Sequence, residues 1–317
     1  FAPAATGVIT PRAITVTAAT DAKVYDGTTL SAAAPAVTSG TLAAGDTAAF
    51  TQAFDDRNAG TGKTLTPVGA VADGNGGANY AVTLVPDTTG VVTPRGITVS
   101  ATAETKVYDG TADGAAAPAI TAGSLAAGDT AGFSQAFDDR NAGTGKPLTP
   151  GGVADDGNGG ANYAVTFVPA VGTITRMAIT VTAGSDIKVF DGTTASAGVP
   201  EVTAGAIGLG DTPAFTQTYA SADPGTDKVL IPAGTVLDGN GGNNYAITFA
   251  PAAVGAITSK VKATPVVVAV GSGGAGARTI TVLNPDGTKK ATITPADPRF
   301  DGGARVAVAD VTGDGVP

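Results

Sequence analysis

The sequence predicts an all-β protein, a tandem array of small β-sandwich domains, and three observations carry that prediction. Of 317 residues 46 are Gly and 20 are Pro, and only two of the 27 acidic residues, Glu104 and Glu201, are glutamates. Gly and Pro are the poorest helix formers and Asp bonds its own backbone in turns, so this composition disfavours helices of any length. Apolar and polar residues alternate with a period of two, the pattern of half-buried strands. The chain also repeats itself: Tyr25-Asp26-Gly27, Tyr108-Asp109-Gly110 and Phe190-Asp191-Gly192 recur at steps of 83 and 82 residues. Asn79-Tyr80, Asn162-Tyr163 and Asn244-Tyr245 keep the same steps.

These marks divide the chain into a repeat at 11–93, a second at 94–175 and a third at 176–258. The first two are near copies: residues 40–67 and 123–150 are identical at 24 of 28 positions. The third has drifted and reads YASADPGTDK at 219–228 where the others read FDDRNAGTGK. Within the first repeat Ile14, Val16 and Ala18 share one strand face, Phe50, Gln52 and Phe54 another, and Tyr80, Val82 and Leu84 a third. Turn residues separate these runs at Asp26-Gly27, Ala44-Gly45-Asp46, Asn58-Ala59-Gly60 and Asp73-Gly74-Asn75-Gly76-Gly77. Six or seven short strands per repeat fit an Ig-like sandwich, with a β-grasp-like unit as the alternative.

Each repeat closes on a strand, GVVT, GTIT or GAIT, and the next begins after a two-residue junction: Pro94-Arg95 or Arg176-Met177. Pro11-Arg12 follows GVIT in the same way. A joint this short, with Pro holding the preceding Thr extended, predicts neighbours stacked end to end with little freedom. Each domain would add roughly 25–35 Å to a rod. Residues 1–10, FAPAATGVIT, match 249–258, FAPAAVGAIT, at eight of ten positions, so they read as the final strand of a preceding or neighbouring repeat. Such a segment is expected either in a window cut from a longer array or in a strand donated to another subunit, with Phe1, Val8 and Ile9 as the assembly residues. Residues 259–317 lack the repeat signature and read as a strand, a Gly-rich turn and a hairpin around Asn284-Pro285-Asp286-Gly287.

The absences bear on function. With no His and no Cys the chain lacks the usual imidazole base, the thiolate nucleophile and every Cys/His zinc arrangement. No acid/base cluster replaces them, and a non-enzymatic role is expected. A net charge of -9 argues against nucleic acid and anionic membrane surfaces as partners, and no apolar run is long enough to insert into a bilayer. The Asp55-Asp56 pair, copied at Asp138-Asp139, reads as a solvated loop because adjacent strand residues point to opposite faces. Tyr25, Tyr80, Phe50 and Phe54 read as core, with glycan stacking as the alternative.

KVYDGTT at 23–29, LAAGD at 42–46, FDDRNAGTGKTL at 54–65, NYAVT at 79–83 and VVTPRGITV at 91–99 stand in an order that resembles the YDG-type, MBG-related repeats of large bacterial surface adhesins of the filamentous-haemagglutinin-like kind. The resemblance implies a stalk or fibre role in a secreted or cell-surface protein, whose partners would be neighbouring repeats or subunits. Host or matrix glycan or protein is the further class of partner. Residues 259–317 resemble a partial FG-GAP repeat. There Asp310, Thr312 and Asp314 occupy positions one, three and five of a DxTxDG loop, with Gly315 for the turn, and calcium is the expected ion.

Overall fold

The computed structural model describes residues 7–260, 268–271, 280–283 and 286–294. Phe1, Asp310, Thr312 and Asp314 lie outside the described residues. Every regular element among those residues is a strand, as the composition predicts. The first repeat contains β1 (Arg12–Thr17), β2 (Ala22–Val24), β3 (Ala36–Ser39), β4 (Thr47–Phe54), β5 (Gly60–Ala72), β6 (Tyr80–Val85) and β7 (Asp87–Thr93). The same seven recur from Arg95 to Thr175 and from Met177 to Thr258.

Two sheets form in each repeat. The first has the order β3-β1-β6, with β1 antiparallel to β3 and parallel to β6. The second has the order β2-β7-β5-β4, with β7 parallel to β2 and antiparallel to β5. Alternation decides what each strand buries. Ile14, Val16 and Ala18 point inward from and just after β1, and Phe50, Gln52 and Phe54 point inward from β4. Gln52 is a buried polar residue in that row, and it is satisfied: its amide accepts from Ala19 N at 2.8 Å and donates to Ala19 O at 2.7 Å. On β6 Tyr80 is buried and Val82 half-buried, but Leu84 lies exposed, so the third predicted face is covered at one end only.

The cores are staggered against the sequence repeat. Ile14, Val16, Phe50, Val71 and Tyr80 form a cluster inside repeat 1. The next cluster takes Tyr25, Phe54, Leu65 and Val92 from repeat 1 and Ile97, Val99, Ala126 and Tyr163 from repeat 2. A third joins Tyr108, Phe137, Leu148 and Ile174 of repeat 2 to Ile179, Val181, Val236 and Tyr245 of repeat 3. The second sheet of one repeat thus shares its core with the first sheet of the next. Two compact units follow: Phe1–Ala183, Val199–Gln217 and Ile231–Pro251 make one, and Gly184–Gly198, Thr218–Leu230 and Ala252–Pro317 the other. The first sheet of repeat 3 belongs to the former.

In the latter unit, Asp186–Val189 pairs in parallel with Ala252–Thr258. Val268–Gly271, Ile280–Leu283 and Lys289–Ile293 there form an antiparallel three-stranded sheet. Ile280–Leu283 and Lys289–Ile293, on either side of the predicted hairpin turn, pair antiparallel, and Asp286 accepts from Thr288 N at 2.9 Å.

Candidate functional site: the joints between repeats

The YDG turn is built locally. Asp26 accepts from the amide and hydroxyl of Thr28, both at 2.9 Å, the short-range bonding that makes Asp a turn residue. Lys23 spans the turn, donating to Asp26 at 2.8 Å, Thr28 O at 2.7 Å and Leu30 O at 3.0 Å. The Lys106 and Lys188 turns repeat this plan with Asp109 and Asp191, each at 2.9 Å. Hydrogen bonds from Lys188 and Thr193 hold the Asp191 carboxyl down at about 2. In the first two turns this scaffold places the preceding aromatic residue, Tyr25 or Tyr108, against the following repeat.

At the first joint Tyr25 donates to Asp129 Oδ2 at 2.9 Å, and Tyr163 donates to the same oxygen at 2.6 Å. The two rings meet edge to face, 5.5 Å between centroids. Arg57, from the FDDRN loop, places Nη2 3.2 Å from Asp129 Oδ1 and donates to Asp156 O at 2.6 Å. The contact with Oδ1 is an ion pair off the hydrogen-bond line, because that oxygen has no aligned donor. The Asp129 side chain is fully buried, so the guanidinium is its counter-charge in a low-dielectric site. Asn162, also fully buried, accepts from Ala59 N at 2.8 Å and donates to Asn58 at 3.1 Å.

The second joint reproduces each contact. Tyr108 and Tyr245 donate to Asp211 Oδ2 at 2.7 and 2.6 Å. Arg140 lies 2.9 Å from Asp211 Oδ1 and donates to Asp238 O at 2.6 Å and Leu209 O at 2.9 Å. Asn244 accepts from Ala142 N at 2.9 Å and donates to Asn141 at 3.1 Å. The receiving loops are fixed by their own aspartates: Asp156 accepts from Asn158 N, Gly160 N and Asn162 N at 2.7, 2.8 and 3.0 Å. Burial would raise the Asp156 carboxyl, but these backbone N–H bonds outweigh it and hold the pKa below the ordinary range. Burial, reinforced by the bond to a carboxylate, pushes Tyr25 and Tyr108 up to about 12.

The other sequence candidates resolve as structural residues. Asp55 and Asp56 flank Lys63, which is 3.6 Å from the first and hydrogen-bonded to the second, so the pair anchors a loop. Asp73 spends its carboxylate on Asn75 N, Gly77 N and Asn79 N, the turn reading. Tyr25, Tyr80, Phe50 and Phe54 are buried, which favours core over glycan stacking. No group of three or more acidic side chains arranged to hold a metal occurs among the described residues. Val8 and Ile9 stand in no strand and are exposed. Sequence reasoning did not find Asp129, Asp211, Arg57 or Arg140. Their signal was present, because the Arg-Asn-Ala run and the Tyr of the YDG turn change together in repeat 3.

Seven-stranded repeats joined at two places by a buried Tyr-Asp-Arg clamp define a tandem-repeat β protein whose recurring polar chemistry serves contact between repeats. The YDG domain model matches residues 10–90, 93–170 and 175–255, and the chain belongs to that family. Comparison with curated proteins found no match.

Proposed function

We propose that this chain is a non-enzymatic structural module, a stalk or fibre-forming segment of a secreted or cell-surface bacterial adhesin or extracellular filament. The observation that carries the reading is the clamp itself. An Asp carboxyl is buried between two repeats, at the point where Tyr and Arg of one meet Tyr of the other. Opening the joint would break these contacts, so bending there is resisted by chemistry as well as by the one-residue gap between strands. A spacer needs that property. The FG-GAP resemblance of residues 259–317, with calcium at Asp310, Thr312 and Asp314, belongs to the same extracellular reading.

Arg57, Asn58 and Ala59 of loop 55–63 are engaged in repeat-to-repeat contact, so a glycan- or matrix-binding role would rest on the remainder of that loop and on loop 73–78. A glycan array and a cell-adhesion assay on the full chain separate the two roles. The spacer reading expects no selective glycan or matrix binding. Saturable binding that is lost on changing loop 73–78 would replace it with an adhesive module.

A further inference from the structure

The receiving loop of each joint contains an Asn-Gly pair, Asn158-Gly159 in repeat 2 and Asn240-Gly241 in repeat 3. The side-chain amide of that asparagine holds the asparagine that crosses the joint. Asn158 donates from Nδ2 to Asn162 Oδ1 at 3.1 Å, and the same oxygen accepts from Ala59 N of repeat 1 at 2.8 Å. Asn240 donates to Asn244 Oδ1 at 3.0 Å, beside the 2.9 Å bond from Ala142 N of repeat 2. The amide hydrogens of Asn158 and Asn240 therefore help fix which end of Asn162 and Asn244 faces the neighbouring repeat. Asn162 and Asn244 are fully buried, whereas Asn158 and Asn240 are half-buried and the glycine after each is exposed.

In an Asn-Gly pair the backbone nitrogen of the glycine can attack the side-chain amide, because glycine sets no Cβ beside that nitrogen. Gly159 and Gly241 stand at φ 65° and 67°, so the turn itself demands the residue that makes the pair reactive. In the attack Gly159 N bonds to Asn158 Cγ, and the amide nitrogen leaves as ammonia with the Gly159 proton. Water then opens the five-membered imide at either carbonyl, giving aspartate or isoaspartate. An aspartate at 158 sets a carboxylate oxygen against Asn162 Oδ1. Asn162 then either keeps two oxygens in contact or turns over, giving its NH2 to the carboxylate and losing both Ala59 N and the bond it donates to Asn58. Isoaspartate adds an atom to the main chain inside the loop that Asp156 fixes through Asn158 N, Gly160 N and Asn162 N.

We propose that Asn158 and Asn240 are sites of spontaneous deamidation that record the opening of their joints. While a joint is closed, Asn162 or Asn244 restrains the amide by accepting its hydrogen. When the joint opens, the amide is released to the glycine nitrogen, and the conversion leaves a joint that no longer seals as before. Water is the only co-reactant, and no other side chain of the protein takes part in the bond changes. The proposal rests on joint geometry and stands apart from the stalk reading.

The test incubates the full chain in warm, mildly alkaline buffer and maps its peptides for a mass gain of about 1 Da, so that both sites are read in one molecule. Slow conversion at both is expected in the unaltered chain. Asn162→Ala removes the acceptor of the Asn158 amide and is expected to speed conversion at 158 by at least about threefold relative to 240, with Asn244→Ala doing the reverse. Asn158→Asp supplies the aspartate product directly. In that variant Ala59 N–H is expected to exchange at least about tenfold faster while Ala142 N–H is unchanged. No mass gain at either site, in the unaltered chain or the variants, over a time that converts short peptides of the same sequence overturns the modification sites. Asn162→Ala that leaves the rate at 158 unchanged, or raises both sites alike, overturns the guarding of each amide by its own joint. Unchanged Ala59 exchange in Asn158→Asp overturns the loss of the seal, and it does so whether or not Asn162→Ala folds.

Discussion

The outgoing ends of repeat 2 and repeat 3 share one strand pattern and one lysine-centred turn, yet only the first carries the clamp residues. Lys106 and Lys188 hold Asp109 and Asp191 at the same 2.9 Å. Beyond the turn each clamp position differs. Phe190 has no hydroxyl for Tyr108's bond to the receiving Asp, Ala222 no guanidinium for Arg140's, and Pro224 no N–H for Ala142's, while Asp223 puts a charge where Asn141 is neutral. Gly110 and Gly192 register the outcome. A Cβ on Gly110 would lie 2.3 Å from Leu209 N, whereas one on Gly192 meets nothing within 4 Å among the described residues. Turn formation and joint formation are therefore separable chemistries within one motif.

That separation can be broken most severely at the buried charge. Arg140→Ala leaves Asp211 buried without its counter-ion and is expected to cost about 3–5 kcal/mol in denaturant unfolding. Asp223→Ala, on the unsealed end, is expected to stay within about 0.5 kcal/mol. Equal costs would erase the distinction between the two ends. Gly110→Ala comes next, since it combines a positive φ of 89° with collision against the Leu209 backbone. Gly192→Ala, with φ 80° and open space, is expected to cost only about 1–2 kcal/mol for the left-handed backbone. A thermal midpoint that falls equally for both would place the strain in the turn alone.

Tyr25→Phe removes one of two hydroxyls from Asp129 and is expected to destabilise by about 1.5–3 kcal/mol, the range for bonds to a charged group. Phe190→Tyr, the reverse change on the unsealed end, is expected to be near neutral. Alkaline titration sharpens the same point with the sign fixed. Tyr25 and Tyr108 stay neutral in the folded chain to about 12, whereas unfolded tyrosine ionises near 10. Their stabilisation is complete below pH 10 and is lost as the pH rises through 12. Phenolate absorbance should therefore rise together with loss of β signal in circular dichroism, and a phenolate rise near pH 10 with the fold intact would contradict the buried clamp.

Much of this was legible in the sequence. Period-two alternation located the faces of Ile14-Val16-Ala18 and Phe50-Gln52-Phe54, and the turn residues separated them. The parallel pairings of β1 with β6 and β2 with β7 were not legible, because alternation gives a strand's faces and says nothing of which strand lies beside it. The burial of Tyr25 was predicted as core packing, and it is buried, but the core is shared with the next repeat. A repeat read as a unit hides that, since its boundary was drawn at the chain joint while packing is offset by one sheet. The drift of YASADPGTDK was visible; its meaning needed the positions of Asp129 and Asp211.

The account's central claim is that each sealed joint is held by side chains of the following repeat. Native-state hydrogen exchange at Ala59 and Ala142 tests it most directly, because these two amides are bonded to Asn162 and Asn244 across the joints. The account predicts that both exchange as slowly as the neighbouring strands, and that Asn162→Ala accelerates Ala59 alone while Asn244→Ala accelerates Ala142 alone. Fast exchange at both in the unaltered chain, indifferent to the asparagines, would contradict it.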